Sequence, residues 1–77
     1  MINKIITLKN KKEYVIAEEC DYQNEHYYFA CELENGETTE NFAVLKIFQR
    51  NDKKTVQIVK DDNLIKEICS IIDAKLN

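Results

Sequence analysis

Apolar residues recur with a period of two along most of this chain, and with a period of three to four at its end. Residues 4–8, Lys-Ile-Ile-Thr-Leu, are apolar and β-branched and precede the polar run Lys9-Asn10-Lys11-Lys12, which reads as a strand and a turn. Residues 13–22 read as a second strand, closed by a turn at Gln23-Asn24-Glu25 in which Asn24 best tolerates a left-handed backbone. Residues 26–33 predict a third strand. Residues 34–41 predict the longest loop, which carries the only glycine, in an Asn35-Gly36 pair. Residues 42–50 and 54–60 predict two more strands joined at Asn51-Asp52-Lys53. Alternation is clearest in the last of them, where Val56 and Ile58 oppose Gln57 and Val59.

The final segment changes period. Leu64, Ile65, Ile68, Cys69, Ile72 and Leu76 are spaced three and four apart, the stripe of an amphipathic helix. Asp61 or Asp62 is placed to cap its first amides, with the other carboxylate favoured near the positive end of the dipole. Lys75 falls in the last turn, where a cation is favoured.

Pairing strands two and three as a hairpin predicts which residues share a face. A turn centred on Gln23-Asn24 sets Cys20 against Tyr27, and one centred on Glu25-His26 sets Cys20 against Cys31. Either register puts Tyr14, Ile16, Cys20 and Tyr22 with Tyr27, Phe29, Cys31 and Leu33, the face the helix is expected to cover. Val15, Ala17, Glu19, Asp21, Tyr28, Ala30 and Glu32 then take the other face. Glu18 is the awkward member of the inner set, because an unpaired buried carboxylate is costly. It must reach the sheet edge, pair with a lysine, or mark a bulge, and a bulge would flip every residue beyond it. For Ile6 and Leu8 to join the inner face, the first turn needs an odd number of loop residues.

The architecture predicted is α+β: an antiparallel meander of about five strands with one C-terminal amphipathic helix packed on one face. At 77 residues the chain makes one domain, residues 1–77, with a thin core. The apolar fraction of 44% is enough for a globule. With no proline and one glycine, collagen-like, Pro-rich and Gly-rich phosphate-loop readings fall away. No apolar run is long enough to span a bilayer, and the apolar part of the N-terminus is too short for a signal peptide, so a cytoplasmic location is expected.

Charge is distributed unevenly. Residues 1–12 carry four lysines and no acid, and residues 13–45 carry nine acids and no Lys or Arg. Residues 46–60 return to five basic residues and one acid, within a net charge of −3. Two readings follow. The acidic strands and the loop after them form a surface that steers a basic partner, or flanking basic strands neutralise them internally. The stretch holding Glu32, Glu34, Glu37 and Glu40 has no basic residue near it in sequence and is the candidate for an exposed acidic patch.

Other chemistry is thinly represented. Cys20, Cys31 and Cys69 are widely spaced and His26 is the only histidine, a poor ligand set for zinc. The acidic loop lacks the spacing of a calcium loop. No metal and no cofactor is expected. A Cys-His nucleophile would pair Cys20 or Cys31 with His26, but nearby acids raise a thiol's pKa, so the cysteines read as core residues and the chain as a non-enzyme. Tyr22, Tyr27, Tyr28 and Phe29 form an aromatic cluster, yet stacking platforms for nucleic acid come with Lys and Arg. Direct nucleic-acid binding is not expected. Tyr28, on the face opposite the helix, remains a candidate anchor for a protein partner.

The chain resembles the YrzB-like family of small acidic proteins of unknown function from low-GC Gram-positive bacteria. The shared features are Ile6-Thr7-Leu8 before a polar turn, Glu13-Tyr14-Val15, and the hairpin around Tyr22 to Tyr27. They continue through Phe42-Ala43-Val44-Leu45-Lys46 to Asp61-Asp62 leading into the final helix. Gln23-Asn24 stands where that family has an Asp-Gly turn. The resemblance implies a fold and a cytoplasmic bacterial setting, and no activity or site residue.

The expectation is a non-catalytic protein-interaction module whose contact surface comprises Tyr28, Glu32, Glu34, Glu37 and Glu40 and whose partner is a basic protein. The alternatives are a mobile-element or phage-derived inhibitor imitating nucleic-acid charge, and a structural homodimer. The dimer would form through an edge strand or through an uncovered sheet face around Val15, Ala17 and Ala30.

Overall fold

The computed structural model describes residues 2–76, without the side chains of Arg50 and Leu76. Five strands, β1 (Ile5–Thr7), β2 (Glu13–Tyr22), β3 (Glu25–Glu34), β4 (Glu37–Arg50) and β5 (Lys53–Ile58), precede one helix, α1 (Asp62–Leu76). The strands form a single antiparallel sheet in chain order, a curled meander. This is the α+β architecture that the periodicity predicts.

Short turns set the registers. Three hairpins close through two residues each: Gln23-Asn24, Asn35-Gly36 and Asn51-Asp52. All six of these residues have positive φ, between 49° and 83°. That is the type I′ geometry whose twist matches the flanking strands, and it explains the run of Asn, Asp and Gly at these positions. Gln23 is the exception in chemistry, since it holds φ 49° without the small side chain that eases it. The first turn is longer. Lys11 N–H donates to the Leu8 carbonyl and Leu8 N–H to Lys12, with Lys11 at φ 69°.

The Asn35-Gly36 turn overturns the predicted loop over residues 34–41. Glu37–Asn41 continue β4, which therefore runs for 14 residues, because Glu34 and Glu37 pair directly across the turn. Polar composition hid this strand. Its Glu, Thr and Asn residues lie at an exposed end of the sheet, where no apolar alternation is needed.

Two bulges shape the sheet. One residue of β2, Ala17, has no partner on β3, so the register shifts between Ile16 and Glu18. On β4, residues 39–41 lie opposite Glu32 alone, between the Cys31–Phe42 and Leu33–Thr38 pairs. Bulged strands bend and twist more strongly. Straight, β4 would run to about 45 Å, more than any dimension of the molecule, 33 × 29 × 21 Å.

The Ala17 bulge corrects the predicted faces. Cys20 does pair with Tyr27, as a turn at Gln23-Asn24 requires. Before the bulge, however, Tyr14 and Ile16 point away from the helix and join Ala30. Two cores result. The helix-covered one holds Cys20, Tyr27, Val44 and Val59 against Ile68 and Ile72. The other lies inside the curl: Tyr14, Ile16, Ala30, Ala43 and Leu45, flanked by Ile6, Leu8, Val56 and Ile58 from both outer strands. Ala30 is fully buried there, Val15 lies on the helix side, and Ala17 is exposed in the bulge. These three residues therefore share no uncovered face.

Helix α1 begins as its sequence predicts. Asp61 Oδ1 accepts from the N–H groups of Asn63 (3.0 Å) and Leu64 (3.3 Å), and Asp62 takes the first turn. Ile68 is 0% exposed and Ile72 4%, so the stripe seats on the sheet as expected; the side chain of Leu76 lies outside the described residues. Lys75, in the last turn, reaches β2, where its Nζ donates to the Glu19 carbonyl at 2.6 Å and lies 3.7 Å from Glu18. Glu18 thus sits beside a bulge and also pairs with a lysine.

Candidate interaction surfaces

Acidic residues divide into a paired set and an unpaired set. Glu25 accepts hydrogen bonds from Lys46 and from the Tyr27 hydroxyl (3.1 Å), and the Lys46 ammonium lies over the Tyr27 and Phe48 rings, 5.3 Å from each centroid. The Lys46 bond, followed by that of Tyr27, holds the Glu25 carboxyl below its ordinary range, and the same bond raises Lys46. With Glu18 beside Lys75, internal neutralisation accounts for two of the acids on β2 and β3.

The four candidate glutamates belong to the other set. Glu34 and Glu37 face each other across the Asn35-Gly36 turn, both exposed. Glu40 is exposed in the β4 bulge, and Glu32 is the half-buried residue opposite that bulge. Among the described residues none of the four has an ion pair. Like charges directly opposed on a hairpin oppose folding, so the Glu34–Glu37 pairing is not one that stability alone favours. Extending the β2–β3 register sets Lys12 level with Glu34, the nearest basic residue by this reckoning.

Tyr28 stands apart from these glutamates. It lies on the face opposite the helix, half-buried against the inner core, and is six residues along β3 from Glu34, about 20 Å in an extended strand. Its neighbours are instead Glu19, Asp21 and His26, a cluster the sequence reading did not assemble. His26 Nδ1 lies 2.6 Å from Asp21 Oδ1, its Nε2 lies 3.6 Å from Glu19, and its ring meets that of Tyr28 edge to face at 4.8 Å. A carboxylate only accepts, so Nδ1 carries the proton in the bond to Asp21. Burial, and then the charges of Glu19 and Asp21, raise the Tyr28 hydroxyl's pKa. The signal for this cluster was the register itself, which pairs Asp21 with His26 and Glu19 with Tyr28.

The same register separates the candidate nucleophile from its base. Cys20 points toward α1 and His26 away from it, and Cys31, paired with Val15 and Phe42, lies on the Cys20 side. Burial pushes the Cys20 thiol up, opposed by Lys75 and reinforced by Asp21, and burial raises Cys69 as well. Among the described residues no group of three or more His, Cys, Asp or Glu is arranged to hold a metal ion, and no helix is long and apolar enough to cross a membrane.

A third feature is apolar. Beyond the reach of α1, Ile5, Val15, Cys31 and Phe42 pair in one row across four strands. Ile5 is 56% exposed and Phe42 49%, with Phe42 stacked on Phe29 at 5.0 Å. Between this row and α1 runs a groove of about 720 Å³, walled by Ala17, Phe29 and Phe42 on the sheet and by Lys66, Cys69 and Asp73 on the helix. Comparison with known proteins found no matching family model, no similar curated protein and no similar solved structure.

Proposed function

We propose that this protein is a non-catalytic interaction module of the bacterial cytoplasm that binds a basic protein through the acidic end of its β3–β4 hairpin. The observation that carries this reading is the contrast in pairing. Glu18 and Glu25 are matched by Lys75 and Lys46, whereas among the described residues Glu32, Glu34, Glu37 and Glu40 have no ion pair. Carboxylates left in this state attract a partner's Lys and Arg and speed encounter at low ionic strength. Tyr28 and the His26 cluster form a separate polar surface on the inner side of β2 and β3.

The test is a tagged pull-down from host lysate at low and moderate salt, with nuclease added, comparing the natural chain with a Glu34→Lys, Glu37→Lys, Glu40→Lys variant. A basic protein held at low salt, released at higher salt and absent with the variant supports the proposal. Retention unchanged by charge reversal sinks it.

A further inference from the structure

We infer that the apolar row Ile5–Val15–Cys31–Phe42, together with the groove beside α1, is a seat for an amphipathic basic helix of the partner; this rests on the acidic-module reading above. Four paired strands at about 4.8 Å spacing give the row a length of roughly 14 Å, which matches two to three turns of helix. The sheet already takes a helix on this face, since α1 covers its other half. A second helix lying beside α1 at the usual 8–10 Å would cover Phe42 and Phe29 and fill the groove.

Charge selects the occupant. Glu13, exposed and paired with Leu33, lies one pair beyond Val15 on the same face, and Glu40 is two residues before Phe42 on β4. The end of the row away from α1 therefore carries one exposed carboxylate on β2, with Glu40 exposed in the β4 bulge next to Phe42. On the α1 flank, Lys66 and Asp73 carry opposite signs. A helix with an apolar stripe edged by Lys or Arg meets both the row and these carboxylates, the helix-in-groove mode of recognition. An acidic helix would face Glu13 and Glu40.

The test uses three synthetic 15-residue peptides: one with leucines at helical spacing edged by lysines, one of the same composition scrambled, and one with glutamate replacing lysine. Titrations monitored by amide chemical shifts are run on the natural chain and on an Ile5→Ser, Phe42→Ser variant. Both positions are about half exposed, so the fold is expected to survive, and a Val15→Thr variant provides a near-isosteric second probe. The striped basic peptide should bind at least tenfold more tightly than the scrambled one, shift Phe29, Phe42 and Cys69, and lose that advantage in both variants.

Equal affinity for striped and scrambled peptides overturns the seat while leaving the acidic reading standing, provided both peptides are still displaced by salt. Equal binding of the acidic striped peptide overturns the choice of occupant. Concentration-dependent dimerisation of the natural chain, abolished by Ile5→Ser, Phe42→Ser, would assign the row to a second copy and overturn the proposal.

Discussion

The two faces of the sheet bury their apolar residues in different ways. On one, α1 covers Cys20, Tyr27, Val44 and Val59 with a stripe taken from a distant part of the chain. On the other, the sheet covers itself, as β1 and β5 bring Ile6, Leu8, Val56 and Ile58 around Tyr14, Ile16, Ala30, Ala43 and Leu45. A short chain with a single helix thereby gains two cores, and the bulge at Ala17 divides β2 between them. The helix-covered face is finished only where α1 reaches, which leaves Ile5 and Phe42 exposed, while the curled face has no such remainder among its core residues.

The most severe way to break this comparison is to delete Ala17. Without the bulge Tyr14 and Ile16 would turn to the helix side, or everything from Glu18 onward would turn away from it. Either loss is comparable with the whole stability of a small domain, about 5 kcal/mol, so circular dichroism should show no cooperative unfolding transition. Next come truncations that question one core at a time. Leu45→Ala and Ile68→Ala each remove a fully buried side chain and should cost about 2–5 kcal/mol by denaturant titration. Hydrogen exchange should tell them apart: Ile68→Ala frees the α1 amides first, whereas Leu45→Ala lowers protection across the sheet.

A smaller effect, of opposite sign, is expected at the β2–β3 turn that sets the Cys20–Tyr27 register. Replacing Gln23-Asn24 with Asn-Gly suits the positive φ of both residues and should stabilise the fold by about 0.5–1 kcal/mol. The smallest effect concerns pH and belongs to the helix-covered face. Lys46 lowers the Glu25 pKa in the folded state, so the bond's stabilisation is present above the ordinary glutamate range. It is lost as pH falls through the lowered folded value. Glu25→Gln should therefore flatten the acid limb of the stability curve and leave the curve near pH 7 to 9 parallel to that of the natural chain.

Much of the fold was legible because local chemistry specified it. The span of β2, the Asn-rich turns and the cap at Asp61 each follow from residues adjacent in sequence. The acidic end was legible in part, since the segment lacking Lys and Arg contains Glu32, Glu34, Glu37 and Glu40. That Glu34 and Glu37 oppose each other was hidden, because the polar start of β4 resembles a loop. Tyr28 was assigned to the correct side of the sheet, but its half-burial against a second core required the curl.

The sequence by itself determined the order and number of elements, the cap and the apolar stripe of the helix, because period and capping are properties of neighbouring residues. Only the tertiary structure decided which face each strand residue serves. A bulge adds a single residue to one strand, and the awkward Glu18 beside Ala17 left a bulge as one of three readings. Its consequence appears only in packing, where Ile16 joins Ala30 inside the curl and Cys20 joins Tyr27 beneath α1. The pairing of Lys46 with Glu25 and of Lys75 with Glu18, in contrast to the hairpin end, which has no ion pair among the described residues, was settled in the same way. It depends on contacts 21 residues apart in the first case and, in the second, on where the last turn of a helix meets the middle of β2.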